Sequence, residues 1–309
     1  MSAQAFQAHI LDVLGAAPAT IEPGRLHRFS TSSRPSDTSG WCKLFGDERG
    51  GVFGDWRTSV SETWSLIDKR AMTPAERAAF SRQVALAAQE REVQQQAKYR
   101  ENAGYVSDLM GSTMPVSRAD PVALYLASRG LAGVWNFAPC LRLHPALPYS
   151  HEGVRLGTLP AMVAPLQAPD GALVAVHRTY LTDRGRKADV PTVKKLTPAA
   201  GPLRGAAIRL QPSRDGVLGV AEGIETALAA SMATGIPAWS TYSGAGLAGF
   251  VWPRFVRKLV VFGDADDAGR TAASRLQDRA RTAGLACSVV YPSIEGQDWA
   301  DVYAAEVAQ

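Results

Sequence analysis

Cysteine is scarce: Cys42, Cys140 and Cys287 are three among 309 residues, far apart and without a Cys-x-x-Cys pair. That spacing supports neither a zinc ribbon nor a disulfide framework, so no zinc is expected, and it fits a reducing cytoplasm. No run approaches the roughly 20 apolar residues needed to span a bilayer. The first residues also lack a basic region followed by an apolar block, so neither a secretory leader nor a membrane partner is expected. Charged residues are 20% and aromatics 8%, against 46% hydrophobic, which argues against global disorder and allows a sizeable core. The positive excess is small, +4 with a pI near 9.0. Such a bias permits a polyanionic partner without proving one.

What is present divides the chain into four segments. Residues 1–72 read as a small N-terminal α+β domain. Its opening apolar stretch, Phe6 to Leu14, suggests a short helix, and Trp41–Asp47 and Gly51–Trp56 suggest short antiparallel strands joined by hairpins. Two readings of the tryptophans stand side by side: they fill the core of this domain, or Trp41 and Trp56 stack on nucleic-acid bases. Residues 73–104 read as a connecting helix. Thr73-Pro74-Ala75-Glu76 supplies an N-cap, a proline in the first turn and a capping box, and Gly104 is expected just past the end at about Asn102.

Residues 105–215 become globular again. Pro121 to Arg129 predicts a helix ending at Gly130, and Ala161–Ala164 with Leu173–Val176 bracket a Pro169-Asp170-Gly171 turn, as in a β-hairpin. Between His177 and Arg214 nine basic residues face two acidic ones. Arg178, Lys187, Lys194, Lys195 and Arg204 of this tract are candidates for holding nucleotide and DNA phosphates, against a reading in which the tract is solvated loop surface.

Residues 216–309 alternate short apolar runs with helical patterns. Strands are expected at Val217–Ala221, Ala238–Thr241, Leu259–Phe262 and Cys287–Tyr291, and helices at Ile224–Thr234 and Ala268–Ala283. This alternation predicts a parallel sheet flanked by helices. Acidic residues follow the strands: Glu222 the first, Asp264 and Asp266 the third, Asp298 and Asp301 the fourth. Ligands of such sheets bind at the carboxyl ends of the strands. Crowded carboxylates there suit Mg²⁺ or Mn²⁺ and phosphoryl chemistry, with Glu222, Asp264, Asp266 and Asp298 as metal ligands. Asp267 is expected to be a helix N-cap, and Glu225 and Asp278 to lie on solvated helix faces.

The motifs Ala221-Glu222-Gly223-Ile224-Glu225-Thr226-Ala227, Val261–Gly269 and Gln297-Asp298-Trp299-Ala300-Asp301 resemble, in order, those of a Toprim domain. Tyr125–Leu131 resembles the opening of a DnaG-type polymerase core, and His177–Tyr180 with Lys194-Lys195 its basic ridge. Residues 105–309 are thereby similar to primase-like proteins of phages, plasmids and integrative elements. The resemblance implies an α/β fold with a C-terminal Toprim domain after a mixed α+β primase-like subdomain. It implies Glu222, Asp264 and Asp266 as catalytic residues, single-stranded DNA and nucleoside triphosphates as partners, and short RNA primers as product. A Toprim nuclease and a non-catalytic single-strand-binding replication factor are the alternatives. The N-terminal zinc-binding domain usual in that family is not expected from the cysteine spacing. With no GxxxxGK[ST] phosphate loop in the sequence, a replicative helicase would be a separate chain.

Overall fold

Among the described residues, short apolar runs punctuated by glycine fold into three separate sheets. The computed structural model describes residues 2–32, 38–56, 58, 60–68, 70–136, 138–292, 299–300 and 302–303. The chain divides into two units, Met1–Ala97 with Glu152–Val154, and Lys98–His151 with Arg155–Gln309.

In the first unit, β1 (His27–Phe29), β2 (Gly40–Leu44), β3 (Gly50–Asp55) and β4 (Val60–Ser65) form an antiparallel sheet in sequence order. Alternation sends Cys42, Leu44 and Phe53 to one face, where they meet Phe6 and Ile10 of α1 (Ser2–Leu14). Trp41, Phe45 and Val52 go to the other, against Phe80, Val84 and Ala87 of α2 (Pro74–Gly111). The capping box forms: the Thr73 amide donates to Glu76 at 3.0 Å, and the Glu76 amide to the Thr73 hydroxyl at 3.2 Å. Helix α2 does not stop near Asn102 but continues through Gly104 to Gly111. Burial explains this, because Val106 and Leu109 enter a hydrophobic cluster with Leu147, Val163 and Tyr180, outweighing the ~1 kcal/mol cost of an internal glycine.

Gly54 makes the N-terminal core possible. A Cβ there would lie 2.1 Å from the Val60 carbonyl oxygen and 2.6 Å from the Trp41 ring. Backbone cannot yield as a side-chain tip can, so Gly54→Ala is expected to destabilise this unit by about 2 kcal/mol or more, read as a lower urea midpoint in tryptophan emission.

In the second unit, β5 (Met114–Pro115), β6 (Arg142–His151), β7 (Val154–Gln167), β8 (Leu173–Tyr180) and β9 (Lys194–Leu196) form one sheet in sequence order. The expected hairpin is present as β7–β8, with β7 longer than its apolar part. Helix α3 (Pro121–Ser128) is capped by Asp120, whose carboxylate accepts from the Val122 and Ala123 amides at 2.9 Å each.

The last sheet is wholly parallel, with β10 (Val217–Ala221) between β11 (Ala238–Ser240) and β12 (Lys258–Phe262), and β13 (Ala286–Val290) beyond β12. Period-2 alternation divides its core. Ala221, Val260 and Phe262 pack with α4 (Ile224–Thr234) and with Tyr125, Leu126 and Met162 of the preceding subdomain. Leu218, Val220, Leu259 and Val261 pack with α5 (Gly244–Gly249) and α6 (Asp267–Thr282). Helices thus cover both faces, as the apolar strands require. No helix among the described residues is long and apolar enough to cross a membrane.

Candidate active site

From β10 the chain runs to β11 on one side and to β12 on the other, so the strand order reverses between β10 and β12. Ala221 and Phe262 are register partners there, which brings Glu222 and Asp264, just beyond them, to the same carboxyl edge. This is the crevice where open α/β sheets bind ligands.

Glu222 lies against the start of α5, where a Cβ on Gly244 would come 3.2 Å from its Oε2. Its pKa is raised, first by burial and then by the charges of Asp264 and Asp266, while the Gly244 amide and Lys194 oppose the rise. The carboxylates therefore crowd one another. Asp266 is exposed and serves as the N-cap of α6, accepting from the Gly269 amide at 2.6 Å. The expected cap, Asp267, is instead the first helical residue. A cap must keep extended backbone before the first turn, and Asp266, at φ −86° and ψ 166°, is the residue that does.

Asp298 and Asp301 lie outside the described residues. Between them Trp299 is buried, its ring 5.0 Å from that of Phe262 and its indole nitrogen donating to the Gly263 carbonyl at 3.3 Å. Among the described residues, no three His, Cys, Asp or Glu side chains are gathered as a metal-binding group. Asp266 is engaged as a cap, and Asp298 lies outside the described residues. Glu222 and Asp264 at the shared carboxyl edge suit Mg²⁺, which commonly takes one or two carboxylates and fills its remaining positions with waters and substrate phosphates.

Strand register sorts the basic candidates onto different faces. Thr179 pairs with Lys194 and Met162, and Arg178 with Lys195 and Val163. Paired residues share a face, so Lys194 points with His177 and Thr179 toward α4, while Arg178 and Lys195 point away. Lys194 Nζ lies 2.9 Å from Glu225 Oε2. Arg178 donates to the Leu196 carbonyl at 2.6 Å, and Lys195 donates to the Ser150 carbonyl over the Tyr149 ring. Lys187 is exposed after β8. Arg204 is exposed too and close enough to Arg279 of α6 for their charges to repel, which groups it with that helix and not with Lys194. Trp41 is only 2% exposed, packed into the first-unit core, so it does not offer a face for stacking; Trp56, at 42%, does.

Glu225 corrects the expectation of a solvated face. It is 7% exposed and accepts from the Tyr125 hydroxyl at 2.5 Å as well as pairing with Lys194. Burial pushes its pKa up, but the Lys194 charge, the Tyr125 hydroxyl and the Lys194 hydrogen bond outweigh it and hold the group at about 2. The same arrangement keeps the Tyr125 phenol well above its ordinary value, chiefly by burial and then by the Glu225 charge. The signal was in the sequence: Ile224-Glu225-Thr226-Ala227-Leu228-Ala229-Ala230 is almost apolar all round, the mark of a buried helix, where a carboxylate requires a partner.

His177 lies in the same polar seam, buried, with Nδ1 unpartnered. Burial first, then Lys194, lowers its pKa to about 4. The unfolded chain, with an ordinary histidine near 6.5, binds the extra proton first. Stability should therefore fall as pH drops from about 6.5 to about 4, by up to ~3 kcal/mol from this group. Urea titrations across that window should show His177→Gln losing less stability than the wild type.

Two family models match the chain. Residues 100–210 match one described as a domain of unknown function (DUF7146), and residues 217–308 one described as a Toprim domain. No curated protein matches. Among solved structures, a DNA primase domain from Pseudomonas aeruginosa is 19% identical, with 52% of each chain covered and a TM-score of 0.37. The RNA polymerase domain of Mycobacterium tuberculosis primase DnaG is 16% identical over 70% of this chain and 82% of that one, at 0.43. The Aquifex aeolicus primase, with zinc-binding and RNA polymerase domains, is 16% identical over 98% and 82%, at 0.37. The chain spans about half the length of the first of these, 52%. With three motifs in order, a wholly parallel sheet and acidic residues at its switch point, the C-terminal part of this chain is a Toprim domain.

Proposed function

We propose that the chain is a primase-type nucleotidyltransferase that makes short RNA primers on single-stranded DNA from nucleoside triphosphates. The observation that carries this reading is the meeting of Glu222 and Asp264 at the β10–β12 edge, with Lys194 of the basic sheet acting on Glu222 from the adjoining subdomain. A lysine beside paired carboxylates serves a reaction that brings in a polyphosphate and a hydroxyl nucleophile together. Lys194 holds phosphate oxygens, drawn from Glu225 on the substrate's arrival. Glu222, with its raised pKa, accepts the proton of the 3′ hydroxyl as it attacks the α-phosphorus of the nucleoside triphosphate and pyrophosphate leaves. Mg²⁺ or Mn²⁺ held by Glu222 and Asp264 would neutralise charge on the transferring phosphoryl group. Trp299 of the third motif donates to the Gly263 carbonyl, next in sequence to Asp264.

The motif resemblance extends this reading to replication of a phage, plasmid or integrative element, with a helicase supplied by another chain. The test is synthesis: purified protein, single-stranded DNA, labelled nucleotides and Mg²⁺ or Mn²⁺. Short labelled products are expected. Metal-dependent loss of the DNA without synthesis would replace the reading with a Toprim nuclease, and binding alone would replace it with a non-catalytic replication factor.

A further inference from the structure

Neither family model reaches residues 1–99, yet this stretch holds two cations packed together. Arg28 on β1 is the register partner of Trp41, which in turn faces Gly54. Arg91 of α2 lies 4.1 Å over the Trp41 ring and 5.4 Å from that of Trp56, and Arg28 lies 5.5 Å from the same Trp56 ring. Two guanidinium groups thus converge on one indole. Their like charges repel, and burial lowers the pKa of both. Among the described residues neither makes an ion pair with a carboxylate, although Lys43 close by pairs with Glu90. Arg28 Nη2 is buried without a hydrogen-bond partner.

A buried guanidinium N–H without an acceptor, as at Arg28, is costly, and two guanidinium groups side by side match the oxygens of one phosphate. Trp41, buried, fixes Arg91 from below, whereas Trp56 at 42% exposure keeps indole surface open beside the pair. Phosphate and free base next to each other are what a single strand presents, while a duplex hides its bases in the stack. We propose that Arg28, Arg91 and Trp56 form a subsite for one nucleotide unit of single-stranded nucleic acid, with the phosphodiester on the guanidiniums and the base on Trp56.

The test is binding of a labelled single-stranded oligothymidylate to the full chain, without nucleotides or metal, over a salt series. Arg28→Gln and Arg91→Gln should each weaken binding several-fold and flatten the log–log salt slope by about 0.7 for each phosphate no longer neutralised. Trp56→Ala should weaken it about tenfold with the slope unchanged, and Trp56→Phe should retain most of the affinity. In the wild type the strand should quench tryptophan emission, and Trp56→Phe should abolish that component, a reading that does not depend on how well Trp56→Ala folds. Wild-type affinity in all four variants overturns the proposal. So does equal loss of single strand and duplex in the arginine variants with Trp56→Ala neutral, which would describe a general basic surface. Because no synthesis is measured, failure of the primase reading would leave this result unmoved.

Discussion

Glu225→Ala should lower the stability of the second unit by about 3 kcal/mol at pH 7, while Glu225→Gln should cost about 1 kcal/mol. Alanine removes the acceptor of the Tyr125 hydroxyl and the partner of Lys194 together. Breaking a buried pair typically costs ~3–5 kcal/mol. The lower end applies here because the Lys194 side chain is 41% exposed and can turn to water, whereas the buried Tyr125 hydroxyl has no such escape. Glutamine still accepts from Tyr125 and loses only the charge. The pH dependence adds a second signature. A carboxylate held at about 2 in the folded state contributes stability that is complete above the ordinary carboxylate value, 4.5, and is lost as pH falls toward 2. Urea unfolding at several pH values measures both effects, and a cycle with Lys194→Met isolates the pair. A cost below ~0.5 kcal/mol for alanine would mean that the seam between basic sheet and α4 is not held by this residue.

The parallel sheet was legible because β10 and β12 are short apolar runs that end at Glu222 and at Gly263-Asp264, and α4 stops at Gly235 in the left-handed conformation. Other elements were hidden by competing signals. Strand β6 carries Pro145 and Pro148, and the first part of β7, Val154 to Gly157, is exposed and carries no apolar alternation. Helix α5 contains Gly244, Gly246 and Gly249 against helix propensity; the Ser243 cap and burial of Leu247 sustain it. Glu222 and Asp264 could be placed from sequence because strand ends converge by topology alone. Which lysine faces them could not, since Lys194 and Lys195 are adjacent and only the pairing of Thr179 with Lys194 decides between the faces. Glu225 was misplaced because a single carboxylate on a helix resembles surface until the apolar character of every other face is weighed.

Glu222→Gln and Asp264→Asn should each reduce primer synthesis at least about a hundredfold, with binding of single-stranded DNA retained. Glutamine fills the same volume beside Gly244 yet can neither take a proton nor share a cation, so loss of rate reports chemistry and not packing. Relief of the carboxylate crowding around Glu222 should leave both variants as stable as the wild type or more so, which separates them from folding defects. Asp266 supplies the discriminating comparison. Asn caps helices about as well as Asp, so Asp266→Asn keeps the hydrogen bond to the Gly269 amide and removes only the charge. If Asp266 acts mainly as a cap, Asp266→Asn should keep most of the activity, and Asp266→Ala should lose about 1 kcal/mol of stability. If instead Asp266→Asn falls as far as Asp264→Asn, its carboxylate leaves the cap when substrate and metal arrive, and the N-terminus of α6 rearranges during the reaction. Steady-state rates and urea midpoints measured on the same preparations distinguish the two outcomes.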